Sequence, residues 1–364
     1  MSEPLRILQV GAGGMGRAWL RTLSTNPSAE LVGLVDLDLA TARAAADEHG
    51  YAGVPVASSL GELAERTGAQ AVIDVTIPPA HPKVSTEALR LGLPVLCEKP
   101  LAESVRECLA MVAAAEASGQ LLMVSQSRRY FRTVAAFGRQ LAELGGVGTL
   151  SCEFFKSPHF GGFRERMAEP LLVDMAIHQF DLARKLIGAE PVSVYCESYN
   201  PPWSWYDGNA AANAVFTFEG GARFVFTGSW CAPGHETSWN GRWRASTAAG
   251  TVVWDGDNAP EAERDSGESV PAELGDEPEE IAGSLAEFVS AVRGGGVPQS
   301  EVHANVVSVA MVEAAVRSAA TGSVVRIADV VTDAHAEALA TIHDDVLRPV
   351  LESWPSALKT VGLS

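Results

Sequence analysis

Short runs dominated by apolar residues, separated by Ala-, Leu- and Glu-rich stretches, set the pattern of the first third of the chain. Residues 6–10, 31–35, 71–75, 94–98 and 121–124 carry so few polar positions that they predict strands buried on both faces. The intervening stretches 39–49 and 105–117 consist largely of strong helix formers. Strand and helix in alternation predict βαβ units and a doubly wound parallel sheet, an α/β Rossmann-type domain, over residues 1–125.

Beyond that point the pattern changes. A helical segment at 133–144 and a Gly145-Gly146-Val147-Gly148 turn lead into a strand at 149–155. Runs at 192–198, 212–218, 222–230 and 251–254 place β-branched and aromatic residues at near period-two spacing, without helices between them. This predicts an α+β domain over residues 126–331, built on an open, mostly antiparallel sheet. Residues 258–280, acidic and rich in Pro, Gly and Glu, read as a solvated loop, and helices follow at 281–292 and 303–320. Residues 332–364 read as an extension carrying one more amphipathic helix that ends near Trp354-Pro355. Its expected role is packing against the body or a second subunit.

Composition narrows the classes of partner. The chain of 364 residues is 47% hydrophobic and has a formal net charge of −18, which opposes binding to nucleic acid or to an anionic membrane surface. No apolar run reaches transmembrane length, and the N-terminus lacks the basic-then-apolar pattern of a signal peptide. Cys97, Cys108, Cys152, Cys196 and Cys231 are odd in number and form no Cys-x-x-Cys pair, so reduced thiols in the cytoplasm are expected, with no metal site.

Three local motifs carry chemistry. Gly11-Ala12-Gly13-Gly14-Met15-Gly16 follows a predicted strand and opens a predicted helix, the context in which G-x-G-x-x-G cradles a dinucleotide pyrophosphate. Asp36 stands twenty residues past Gly16, at the end of the second strand. There a carboxylate accepts from a ribose 2′-hydroxyl and repels a 2′-phosphate, so NAD is expected over NADP; Asp36 could instead cap the following helix. Glu98-Lys99-Pro100 lies at the carboxyl end of a predicted parallel strand, where such sheets bind ligands. Finally, Asp174 and His178 fall at i, i+4 on an otherwise apolar segment, 171–181. On one helix face this is either a carboxylate-supported acid/base or a buried histidine with a satisfied proton.

These motifs, in this order, together with Thr76-x-Pro78 and His81, Arg128-Arg129-Tyr130, Asp181, Gly145–Gly148 and the segment starting at Ser318, resemble the glucose-fructose oxidoreductase/inositol dehydrogenase/rhizopine-catabolism (Gfo/Idh/MocA) family. The resemblance spans about residues 5–330. It implies oxidation of a secondary alcohol on a sugar, cyclitol or related polyol, or the reverse reduction, with NAD(P). In that pattern Lys99 holds the reacting hydroxyl, His178 takes its proton, and Asp174 orients the imidazole or touches a neighbouring hydroxyl. Cofactor contacts are implied for residues 11–16, Asp36, Thr76, Pro78, His81, Glu98 and Lys99, and the Lys99-Pro100 bond is implied to be cis. The chain departs from the pattern at Pro79, at Ala176 and in the length of its extension.

Candidate substrate contacts in the second domain are Arg128, Lys156, His159, Arg164, Trp230, His235 and Trp239, since aromatic faces beside hydrogen-bonding groups suit sugar rings. Core packing is the competing role for each tryptophan, and a surface loop for His159 and His235. A homodimer or homotetramer is implied by the resemblance. Two other functions compete with a simple dehydrogenase: transient oxidation serving glycoside cleavage or epimerisation with no net NADH, and a non-catalytic NAD sensor.

Overall fold

A computed structural model describes residues 3–364; Met1 and Ser2, part of the N-terminus read above as free of a signal peptide, lie outside the described residues. The chain first builds β1 (Leu5–Val10), α1 (Gly14–Ser24), β2 (Ala29–Val35), α2 (Leu39–Glu48), β3 (Val56–Ala57) and α3 (Leu60–Thr67). It continues through β4 (Ala71–Asp74), α4 (His81–Arg90), β5 (Val95–Glu98), α5 (Val105–Ser118) and β6 (Leu122–Ser125). The six strands are parallel in the order β3-β2-β1-β4-β5-β6. Strand order reverses between β1 and β4, and register sets Val10 beside Asp74 and Asp74 beside Cys97. The loops after β1, β4 and β5 therefore leave the sheet level with one another, at the crevice where doubly wound folds hold ligands.

The second part contains α6 (Arg132–Glu143), β7 (Val147–Phe155), α7 (Ile177–Ile187), β8 (Pro191–Tyr199), β9 (Ala211–Phe218), β10 (Arg223–Ser229), β11 (Arg242–Thr247) and β12 (Gly250–Trp254). After β13 (Glu261–Arg264) and β14 (Ser269–Val270) come α8 (Glu280–Val292), α9 (Val302–Thr321) and β15 (Val325–Arg326). The chain ends in α10 (Ile327–Thr341), α11 (Leu347–Ser353) and α12 (Ala357–Thr360). Nine strands form a mixed sheet in the order β14-β13-β12-β11-β7-β10-β9-β8-β15, antiparallel except for β10 beside β7. Alternation along β9, β10 and β11 buries one face and opens the other. Phe180 of α7 meets Phe216, Phe224 and Phe226 of the buried face, with ring centroids 4.7 to 6.1 Å away.

Two expectations need correction. The acidic stretch 258–280 is not only a loop, because Glu261–Arg264 and Ser269–Val270 add two strands to the sheet edge. Ala262 and Val270 are its buried positions, and the surrounding acidic residues conceal that weak alternation. The tail forms separate helices rather than one. The Asp344 carboxylate accepts from the backbone N–H groups of Val346 and Leu347, an Asx cap that stops the chain and restarts it as α11. Strand β11 lacks an obvious signal because Arg242, Arg244 and Ser246 face outward between its buried positions, Trp243 and Ala245.

Candidate active site

The glycine loop runs from β1 into α1 as its composition requires. Gly11 has a φ of +105°, and a Cβ there would meet the Val75 carbonyl oxygen at 2.4 Å. A Cβ on Gly13 would meet nothing within 4 Å, so the backbone before α1 is open to close approach by a ligand. Helix α1 has no side-chain cap at Gly13, which leaves its first N–H groups for an anion. These features fit a dinucleotide pyrophosphate, with Ala12, Gly14, the half-exposed Met15 and Gly16 completing the loop.

Asp36 follows β2. Its Oδ2 accepts from the Ala12 N–H (2.8 Å) and its Oδ1 from the Asp38 N–H (2.9 Å), which ties the acidic residue to the loop. The capping alternative fails, because Asp38 caps α2 through Ala40 and Thr41. A carboxylate has about four lone-pair sites, so Asp36 keeps acceptor capacity for a ribose hydroxyl.

At the other side of the crevice Lys99 follows β5, and its bond to Pro100 is cis. Glu98 is buried beneath it. The Glu98 carboxylate accepts from Trp19 Nε1 of α1 (2.8 Å) and from the Lys99 N–H (3.1 Å), so it braces the lysine against the loop helix. Burial pushes the Glu98 carboxyl up. His81, at 0% exposure, sets Nδ1 2.9 Å from the Pro100 carbonyl and Nε2 3.1 Å from the Thr76 carbonyl. Thr76 in turn donates its hydroxyl to Asp74 (2.6 Å), and Pro78 opens a short turn beside it. The side chains of Glu98 and His81 thus bind protein partners and shape the loops that line the crevice.

The segment carrying Asp174 and His178 differs from the expected α-helix. Residues Leu171–Ala176 form a wider π-helical turn before α7 begins, so the i, i+4 stacking of an α-helix does not apply. The Asp174 carboxylate accepts from Arg164 Nε (2.7 Å) and lies 3.9 Å from Lys99 Nζ, which donates to the Asp174 carbonyl (3.1 Å). His178 is 8% exposed and its Nδ1 has no partner among the described residues. Asp174 therefore pairs with the cations and does not orient the imidazole. Burial, then the charges of Arg128 and Lys99, pull His178 well below the usual histidine range and hold it neutral. Burial also lowers Lys99, against the opposing pull of Asp174 and Glu98.

Most second-domain candidates join this cluster. Arg164 lies over Phe160 (5.3 Å) and Phe163 (4.9 Å), and Phe160 packs on Trp230 (5.4 Å) and Trp239 (6.3 Å). Trp230 is buried, whereas Trp239 is 44% exposed. Lys156 lies over the Trp239 ring at 5.2 Å and pairs with Glu236 at 3.0 Å. Arg128 donates to the Trp239 carbonyl. His159 stacks on Trp205 at the margin, and His235 is exposed in its loop, at a φ of +46°. Phe160, Phe163 and Gln179 join the cluster although nothing in their local sequence marks them. Asp181 lies apart from the chemistry: it is buried in a bidentate pair with Arg129, at 2.6 and 2.7 Å.

Residues 5–126 match the model of an oxidoreductase family with an NAD-binding Rossmann fold, GFO/IDH/MocA, and residues 141–253 match that family's C-terminal domain. The chain belongs to this family of oxidoreductases with an NAD-binding Rossmann fold. An inositol 2-dehydrogenase from Ralstonia nicotianae is 33% identical over 194 residues, which cover 52% of this chain and 56% of that protein. The chain thus spans little more than half the length of that curated relative. An Agrobacterium radiobacter oxidoreductase, solved with NAD+, L-tartaric acid and magnesium, shares the fold with a TM-score of 0.81 at 20% identity, over 89% of this chain and 99% of that one. An aldose-aldose oxidoreductase from Caulobacter crescentus, solved with glycerol, gives 0.79 at 21%, over 89% and 100%. No helix among the described residues is long and apolar enough to cross a membrane, and no cluster of His, Cys, Asp or Glu there could hold a metal ion.

Proposed function

We propose that the protein is an NAD-dependent dehydrogenase that oxidises a secondary alcohol on a sugar, cyclitol or related polyol. The observation that carries this reading is the meeting of Lys99, Asp174 and a neutral, buried His178 at the crevice that the glycine loop opens. Bound NAD supplies the hydride acceptor; the residues handle the hydroxyl. Lys99 donates to the alcohol oxygen and stabilises it as negative charge develops. His178 accepts the hydroxyl proton, which its lowered basicity leaves it free to do at neutral pH. Asp174, with Arg164, holds the lysine in place. The carbinol carbon thus loses a hydride and the oxygen a proton, leaving a ketone.

Asp36 and the lack of a neighbouring Lys or Arg in sequence favour NAD over NADP. On the open sheet face, register aligns the exposed Tyr195, Val215 and Val225 across three strands, an apolar row suited to a homodimer or homotetramer. Five buried, unpaired thiols suit the reducing cytoplasm. The test is kinetic. With a sugar and cyclitol panel followed by NADH absorbance, Lys99→Ala and His178→Ala each lower kcat/KM by about 100- to 10,000-fold while NAD binding survives. Near-normal turnover in either variant overturns the assignment, and release of an aglycone without net NADH identifies transient redox instead.

A further inference from the structure

Arg129 and Arg184 each spend one edge of the guanidinium, Nε with Nη2, on a single carboxylate. Arg129 uses it to hold Asp181 at 2.6 and 2.7 Å, and Arg184 uses it to hold Glu190 at 2.6 and 2.8 Å. That planar fork matches a carboxylate bidentately. In Arg128 the corresponding edge meets no carboxylate of the described residues: Nη2 faces only the thioether of Met175, at 3.9 Å, and Nε has no protein partner.

Arg128 is nevertheless fixed. Its Nη1 donates to the Trp239 carbonyl and, with the Gln179 amide in the orientation that satisfies both its ends, to Gln179 Oε1 (3.0 Å), while the Gln179 amide nitrogen donates to the Met175 carbonyl (2.9 Å). These partners are neutral, so they orient the guanidinium without compensating its charge. Burial pushes it down to about 10, against the smaller opposing effects of Cys152 and Glu280. A desolvated cation lacking a carboxylate is costly unless a ligand completes it.

The surroundings have the same sign. Arg128, Lys99 and Arg164 act on one another or on His178, and Asp174 is the carboxylate that Lys99 and Arg164 share. Lys156 is paired with Glu236. The site is thus cationic in a chain whose formal charge is −18. We propose that the alcohol this enzyme oxidises is a hydroxy acid, whose carboxylate docks on the Nε/Nη2 edge of Arg128 while its hydroxyl meets Lys99 and His178. This rests on the dehydrogenase reading above and deepens it. The carboxylate is unchanged in the reaction; it anchors the substrate in one orientation.

The experiment compares matched substrates with the full-length enzyme and NAD: hexoses, their aldonic and uronic acids, and their 6-phosphates. The expected result is that the best acid exceeds its neutral parent in kcat/KM by about 100-fold, and that this ratio collapses towards one in Arg128→Met. Arg128→Lys, which keeps charge but not the fork, falls between. A neutral parent as fast as its acid, a preferred 6-phosphate, or an acid preference that survives in Arg128→Met overturns the proposal and leaves the dehydrogenase reading standing. Failure of every series to reduce NAD overturns both. The wild-type comparison decides even where a variant does not fold.

Discussion

His303 joins three parts of the molecule, and its removal should be felt as a pH-dependent loss of stability. Its Nδ1 lies 2.7 Å from Glu301 at the start of α9, and its Nε2 lies 2.9 Å from Glu116 of α5, on the nucleotide-binding part. The second oxygen of Glu116 accepts from Trp354 Nε1 (2.7 Å), just after α11 of the extension. Both ring nitrogens face carboxylates, so both must donate and the ring is an imidazolium. The hydrogen bond to Glu301, opposed by burial and aided by Glu116, raises it from 6.5 to about 9. The folded-state value is the higher one, so the contribution is complete below pH 6.5 and is lost as pH rises through 9. A shift of this size corresponds to about 3 kcal/mol at 1.36 kcal/mol per unit. With the side chain 30% exposed, solvent screening brings this to about 1–2 kcal/mol. In equilibrium urea unfolding, His303→Gln should be less stable than wild type by that amount at pH 6 and should match it near pH 10. A constant difference between the two across that range would refute the ion-pair account.

Two further outcomes follow from buried contacts and from the loop. Arg129→Met strands the Asp181 carboxylate, which also accepts from Ser308, and should cost about 3–5 kcal/mol in unfolding free energy, with most of it recovered in Arg129→Met/Asp181→Leu. No recovery would mean that packing, not charge, dominates there. Titration should show NAD binding at least about 10-fold more tightly than NADP, with the gap narrowed in Asp36→Ser. Tighter NADP binding by wild type would remove Asp36 from the ribose.

The legible part of the site was the part encoded locally. The glycine loop is marked by its place between a strand and a helix, and Lys99 by its place at a strand end; both conditions hold within a few residues of the motif. The Asp174–His178 pairing was misread for a related reason. Spacing of four residues implies contact only on an α-helix, and the π-helical turn at Leu171–Ala176 changes that geometry. The resemblance implies cofactor contacts for His81 and Glu98, and the protein groups that hold them are set by the fold. Their distant partners, the Pro100 carbonyl and Trp19, lie 19 and 79 residues away and leave no local mark.

Apolar periodicity and turn chemistry alone determined the parallel sheet, the main strands of the second sheet, the nucleotide loop and the edge where ligands meet the first sheet, since these depend on which residues avoid water and which backbones tolerate close approach. Tertiary structure decided the charges. Arg164 reaches Asp174, Glu116 reaches His303 across 187 residues, and Arg128 reaches the Trp239 carbonyl, only because separate loops and helices fold over one another. The state of a buried charge is set by all its neighbours in space, and a chain read in order shows only those beside it.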